Sequence, residues 1–125
     1  MRKVLYILGQ LTDEDVEWLA QKGQRREVSK GGCLTEEGKP VTRIAIILRG
    51  VADVLIDKGR RSVATLGAGD IVGEISLVDQ RPATATVQCQ EGLVCLEVPH
   101  DLLLRRFGQD TAFSARFYRA IALFM

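Results

Sequence analysis

Apolar residues at Val16, Leu19 and Ala20, with Trp18 beside them, repeat with the period of one helix face. Thr12 supplies an N-cap, Asp15 stands three residues later, and Asp13, Glu14 and Asp15 crowd the first turn. Gly23 closes this helix, predicted over 12–22. From Arg25 the period changes. Short β-prone runs follow at Arg26–Ser29, Cys33–Glu36, Arg43–Leu48, Val51–Ile56, Arg61–Leu66, Thr84–Cys89 and Leu93–Val98. Glycine-bearing turns separate most of them, at a spacing of about ten residues, the signature of a sandwich or barrel. Pro99 opens a helical segment with Leu102, Leu103, Leu104 and Phe107, which Gly108 is expected to close. Asp110 or Thr111 starts a last helix carrying Phe113, Phe117, Tyr118, Ile121 and Phe124. The pattern predicts a mainly β fold: an antiparallel barrel or jelly roll of about eight strands, with one helix before it and two after.

The chain has 125 residues, enough for one domain with its own core. We expect a single unit over 1–125, with the barrel at 25–98, a cassette at 69–86 and the C-terminal helices at 99–125. A hydrophobic fraction of 46% and a charged fraction of 26% exclude a disordered, collagen-like or coiled-coil chain. The net charge of +1 offers no general attraction to nucleic acid. Lys22 to Arg26 is a short basic stretch and reads as a solvated edge. No apolar run approaches the ~18 residues of a membrane span. Met1-Arg2-Lys3 followed by Val4 to Leu8 imitates a signal peptide, but the run stops at Gly9-Gln10 and acids follow. It reads as an amphipathic lead-in. Cys33, Cys89 and Cys95 are odd in number and form no C-x-x-C pair, which suits a reducing, cytoplasmic setting. Cys89 and Cys95 flank a predicted turn and could meet across a hairpin; buried free thiols are the simpler reading.

The stretch from Gly67 to Val87 interrupts the strands with a short helical piece, Gly73-Glu74-Ile75-Ser76-Leu77. A glycine before a helix start leaves backbone N–H groups facing outward, an arrangement suited to anions. Glu74 is an acceptor suited to sugar hydroxyls, and Thr84 offers a hydroxyl at the next strand. A phosphate beside a ribose fits this pattern. A loop with one helical turn and a solvated Glu74 fits it as well.

The chain resembles the cyclic nucleotide-binding domain family over essentially its whole length. The resemblance rests on several groups of residues: Gly31 and Gly38, Gly50 between strands, and Gly69-Asp70 before Gly73-Glu74-Ile75-Ser76-Leu77. Ala85-Thr86-Val87 and Phe117-Tyr118-Arg119-Ala120 complete it. It implies a non-enzymatic regulatory module that binds cyclic AMP or cyclic GMP inside the barrel. Glu74 would hold the ribose 2′-hydroxyl, the backbone of Gly73, Glu74, Ile75, Ser76, Ala83, Thr84 and Ala85 would surround the phosphate, and the last helix would move to cap the base. The family commonly places arginine after the proline of this segment, and here Pro82 is followed by Ala83. Moving Arg81 into that role would slide the register and put Pro82, which lacks an N–H, where a donor is needed. From Gly67 to Thr86, Asp70, Glu74 and Asp79 face one base, Arg81, a net of −2. A charge-assisted hydrogen bond contributes ~1.5–3 kcal/mol, so its loss weakens binding roughly 10- to 150-fold. Weak or absent cyclic nucleotide binding is expected, with a less anionic ligand or a filled pocket in its place.

His100 is the only histidine and, as a residue at a helix start, is expected at the surface. With no second histidine, neither a metal centre nor a metal-dependent jelly-roll enzyme is expected. The wide apolar stripe of the last helix needs cover, either from the barrel or from a second copy, which makes this helix a candidate dimer contact. The chain stops mid-pattern at Phe124-Met125 and contains no helix-turn-helix, so it reads as a short protein or as a piece of a longer one. The alternative to a sensing module is a degenerate domain that acts as an interaction or dimerisation scaffold through this helix.

Overall fold

The computed structural model describes residues 9–123, so the lead-in at 1–8 and the tail at 124–125 lie outside the described residues. Helix α1 spans Asp13–Lys22. The barrel follows as β1 (Gln24–Val28), β2 (Cys33–Thr35), β3 (Arg43–Arg49), β4 (Ala52–Ile56), β5 (Arg61–Leu66) and β6 (Ile71–Val72). A six-residue helix, α2 (Glu74–Asp79), precedes β7 (Thr86–Cys89) and β8 (Leu93–Pro99). Helices α3 (His100–Gln109) and α4 (Thr111–Ala122) finish the described chain. The strand missing from the seven predicted runs is β6, Ile71–Val72, which is too short to leave a periodic signal.

The strands form two antiparallel sheets, ordered β1-β8-β3-β6 and β2-β7-β4-β5. Strand β3 explains the architecture. Its run Ile44-Ala45-Ile46-Ile47 is buried on both faces. Ile44 and Ile46 face a core shared with the helices, whereas Ala45 and Ile47 face the core between the sheets. Side chains alternate across a strand, so a continuous apolar run marks a strand covered on two sides.

The helix-side core contains Leu77, Val98, Leu103, Phe107, Phe113, Phe117 and Ile121. Phe113, Phe117 and Ile121 of the α4 stripe therefore pack within the chain, whereas Leu123 is exposed. Phe113 meets Trp18 edge-on at 5.7 Å and lies 5.6 Å from both Phe107 and Phe117. Thr12 and Asp15 form a reciprocal capping box on α1. Asp15 does more than cap, because its buried carboxylate also accepts from Arg106 and Arg116. Two boundaries differ from expectation. Gly108 lies inside α3, and Asp110 ends α3 while its side chain caps α4 through the Phe113 N–H. Strands β7 and β8 belong to different sheets, so Cys89 and Cys95 do not face each other across a hairpin; all three cysteines are free. Arg26 is not merely solvated, since it pairs with buried Glu97 at 2.9 Å, and Arg43 holds the other Glu97 oxygen at 3.0 Å. No helix among the described residues is long and apolar enough to cross a membrane.

Candidate functional site

A cavity of about 230 Å³ opens between the cassette and the second sheet. Gly73, Glu74, Ile75, Ser76, Ala83, Thr84 and Ala85 all line it. Two backbone devices bring these residues together. The first is Gly73, which adopts φ +91° as the N-cap of α2. A Cβ there would lie 2.4 Å from the Arg43 carbonyl oxygen, so only glycine lets the turn pack this closely. The second is the seam between residues 83–86 and the β2–β3 connection. The Ala83 N–H donates to the Lys39 carbonyl at 2.9 Å, and the Gly38 N–H donates to the Ala83 carbonyl at 2.8 Å. The Thr35 hydroxyl donates to the Ala85 carbonyl at 3.0 Å. Proline at position 82 costs nothing here, because the donor this seam uses is on Ala83.

The cavity wall is chemically lopsided. Val41, Val54, Leu66, Ile71, Val72 and Val87 give it an apolar floor, and Thr35, Ser76 and Thr84 add hydroxyls. Glu74 is the one ionisable residue among the described residues that line it. Arg81 is exposed, stands outside this wall, and donates its backbone N–H to Asp79 at 2.9 Å. Asp70, counted with the acids of this stretch, points elsewhere: its carboxylate accepts the Gly67 N–H at 2.9 Å and shapes the turn before β6. Ile75 and Val78 of the cassette helix are 47% and 45% exposed.

His100 is placed differently from its expectation. It is 7% exposed, and its Nε2 lies 3.0 Å from the Gly73 carbonyl oxygen. Since a carbonyl can only accept, Nε2 carries the proton. Burial pushes the His100 pKa down, against the opposing influence of hydrogen bonds to the Gly73 and Val41 carbonyls and the charge of Asp101. Sequence reasoning missed this residue because a histidine at a helix start gives no periodic sign of being inside. It missed Glu97 and the Asp15–Arg106–Arg116 cluster for a related reason: partners 54 to 101 residues apart leave no local pattern. No group of three or more potential metal ligands occurs among the described residues.

This architecture is a jelly-roll barrel with a glycine-nucleated cassette and terminal helices. The family profile described as "Cyclic nucleotide-binding domain" matches residues 25–110. The chain belongs to that family. It is 31% identical over 85 residues to a cGMP-dependent protein kinase of Plasmodium berghei, covering 68% of this chain and 10% of the relative. A solved cyclic nucleotide-binding domain from Methylobacillus flagellatus superposes with a TM-score of 0.85 at 22% identity, over 97% of this chain and 73% of that one. The regulatory subunit of a cAMP-independent protein kinase A from Trypanosoma cruzi, solved bound to guanosine, gives a TM-score of 0.70 at 26% identity, over 77% of this chain and 34% of that one. The chain spans 10% and 20% of the length of two curated relatives it matches.

Proposed function

We propose that the chain is a non-enzymatic regulatory module, cytoplasmic in setting, whose barrel cavity takes an uncharged ribose-bearing ligand. A purine nucleoside suits it better than cyclic AMP or cyclic GMP. The observation that carries this reading is the charge of the wall: Ala83 stands where a cation would be needed, and Glu74 is the sole ionisable lining residue among those described. A cyclic phosphate would enter with its negative charge near a carboxylate and with no guanidinium among the described lining residues. Burial of an unpaired charge is unfavourable by several kcal/mol or more. A nucleoside keeps the ribose hydroxyls that Glu74, Ser76 and Thr84 can meet, and leaves out the phosphate. The cavity volume of about 230 Å³ lies below the ~300–1,000 Å³ usual for small-molecule sites, which also favours the smaller ligand. The Trypanosoma cruzi relative, which is described as cAMP-independent and holds guanosine, lends this choice support.

Calorimetry with guanosine and adenosine against cyclic GMP and cyclic AMP, up to millimolar concentration, tests it. Nucleoside binding at least tenfold tighter than the matching cyclic nucleotide is expected. Cyclic nucleotide binding equal to or tighter than nucleoside binding overturns the preference. Silence with all four ligands directs attention to the scaffold alternative, which concentration-dependent mass in solution then decides.

A further inference from the structure

Three parts of the chain meet at one point beside the cavity. Gly73 begins the cassette helix, Thr42 and Arg43 begin β3, and His100 begins α3. The His100 backbone N–H donates to the Thr42 carbonyl at 2.8 Å, while its ring reaches the Gly73 carbonyl at 3.0 Å. A Cβ at Gly73 would lie 2.4 Å from the Arg43 carbonyl oxygen, so the turn runs close to the start of β3. Its carbonyl also accepts from the Leu77 N–H, but at a long 3.4 Å. The imidazole is therefore the better hydrogen bond at this carbonyl. The residue immediately after that carbonyl is Glu74, in the cavity wall. The residues immediately after the imidazole are the first turn of α3, which packs on α4 through Phe107, Phe113 and Phe117.

We propose that His100 is a positioning residue: its ring N–H fixes the Gly73–Glu74 turn and ties the state of the cavity to helices α3 and α4. The proposal deepens the sensing reading, because it names the link by which an occupied cavity reaches the helices, and it rests on that reading for its ligand. A turn that shifts when ligand meets Glu74 must either carry His100 with it or break this contact. In the first case the start of α3 moves too. A single side chain thus joins the cavity wall to the output helices without passing through the barrel floor.

Two variants separate the tether from mere packing. His100→Gln keeps an N–H donor, and His100→Phe keeps apolar bulk without one. Amide hydrogen exchange is read first in the unliganded protein. In His100→Phe, exchange at Leu77 and across 103–104 is expected to quicken together, at least tenfold, while Ile44 and Val98 in the core stay within twofold. His100→Gln is expected to return both sets toward wild type. The second reading adds guanosine and follows amide shifts at Phe117–Ile121. These shifts are expected in wild type and His100→Gln, and lost in His100→Phe even where shifts at Glu74–Ser76 persist. Uniform loosening throughout His100→Phe, no rescue by glutamine, or unchanged transmission to α4 overturns the proposal. If guanosine leaves wild-type Glu74–Ser76 unmoved, the nucleoside reading fails, and the exchange measurement alone decides the tether.

Discussion

Arg116 grips the Asp15 carboxylate with two hydrogen bonds, Nε to Oδ2 at 2.7 Å and Nη2 to Oδ1 at 2.9 Å, across 101 residues of sequence. Arg106 adds a third from its Nη2 at 3.1 Å. Its guanidinium also lies 3.9 Å from the Phe113 ring centroid and 4.7 Å from that of Trp18. One carboxylate on α1 thus fastens both C-terminal helices, and Asp15 is only 1% exposed. Breaking a buried pair by removing one partner costs about 3–5 kcal/mol, because the other charge stays behind. Asp15→Asn keeps the shape and leaves two guanidiniums facing each other. Water reaching the more open Arg116 screens part of that cost. Urea unfolding is expected to show a loss of about 3 kcal/mol, and a loss under about 1 kcal/mol, typical of surface pairs, would mean that the cluster is ornamental.

The same carboxylate sets the acid limb of stability. The hydrogen bonds from Arg116 hold its pKa at about 2, below its ordinary 3.8, although burial opposes the shift. The folded state therefore releases this proton more readily than the unfolded state. The resulting stabilisation, about 2 kcal/mol, is complete above pH 3.8 and disappears as pH falls toward 2. Stability curves of wild type and Asp15→Asn are expected to converge over that window. Parallel curves would assign the acid transition to other groups.

His100 predicts a second, milder pH dependence. Burial lowers its pKa from the ordinary 6.5, so the unfolded chain takes up a proton before the folded one does. Stability is full above pH 6.5 and declines as pH falls through the lowered value. The melting temperature of wild type is expected to drop between pH 7.5 and 5, while that of His100→Gln stays flatter. An equal drop in both would place the titration elsewhere.

Local signals made much of this molecule legible in its sequence. Thr12 and Asp15 announced the capping box, the isoleucines of 43–48 announced a strand, and the glycines marked the turns. The cassette residues could be grouped because Gly73-Glu74 and Ala83-Thr84-Ala85 sit in a recognisable order, although the Gly73 turn against Arg43 and the seam from Gly38 and Lys39 to Ala83 are what place them. What escaped was long-range or off-pattern. Ile71–Val72 is too short to show a period. Glu97 is buried within an otherwise apolar strand, because Arg26 and Arg43 from two flanking strands pair with it. His100 looks like any residue at a helix start until the cassette closes over it. Its burial is decided by where Gly73 lies, 27 residues earlier.

Gly73→Ala tests whether that turn positions the cavity. The residue sits at φ +91°, and an added Cβ would meet backbone at 2.4 Å, which cannot rotate out of the way. Strain of this kind costs about 1–3 kcal/mol before any clash is relieved. A loss of at least about 2 kcal/mol is expected, together with loss of ligand-induced shifts at Glu74–Ser76. Gly31 is a control, because it also has positive φ but nothing lies within 4 Å of its Cβ position. Gly31→Ala is expected to carry the conformational cost without losing the cavity. Equal damage from both substitutions would show that dihedral strain, and not the approach to Arg43, is what matters.

Ala83→Arg tests the charge argument at its source. Position 83 lines the cavity, and its backbone is pinned on both sides by Gly38 and Lys39, so a side chain placed there starts from a fixed point. A guanidinium there would offer a two-pronged donor to the exocyclic oxygens of a cyclic phosphate. A charge-assisted contact of ~1.5–3 kcal/mol corresponds to roughly 10- to 150-fold in affinity. Calorimetry is expected to show at least a tenfold gain for cyclic AMP in Ala83→Arg, and little gain for adenosine, which has nothing for the new cation to hold. The two ligands together make the result decisive. A gain for both would mean that the arginine adds packing and not charge, and no gain for cyclic AMP in a folded variant would mean that the wall around position 83 is not where a phosphate would sit.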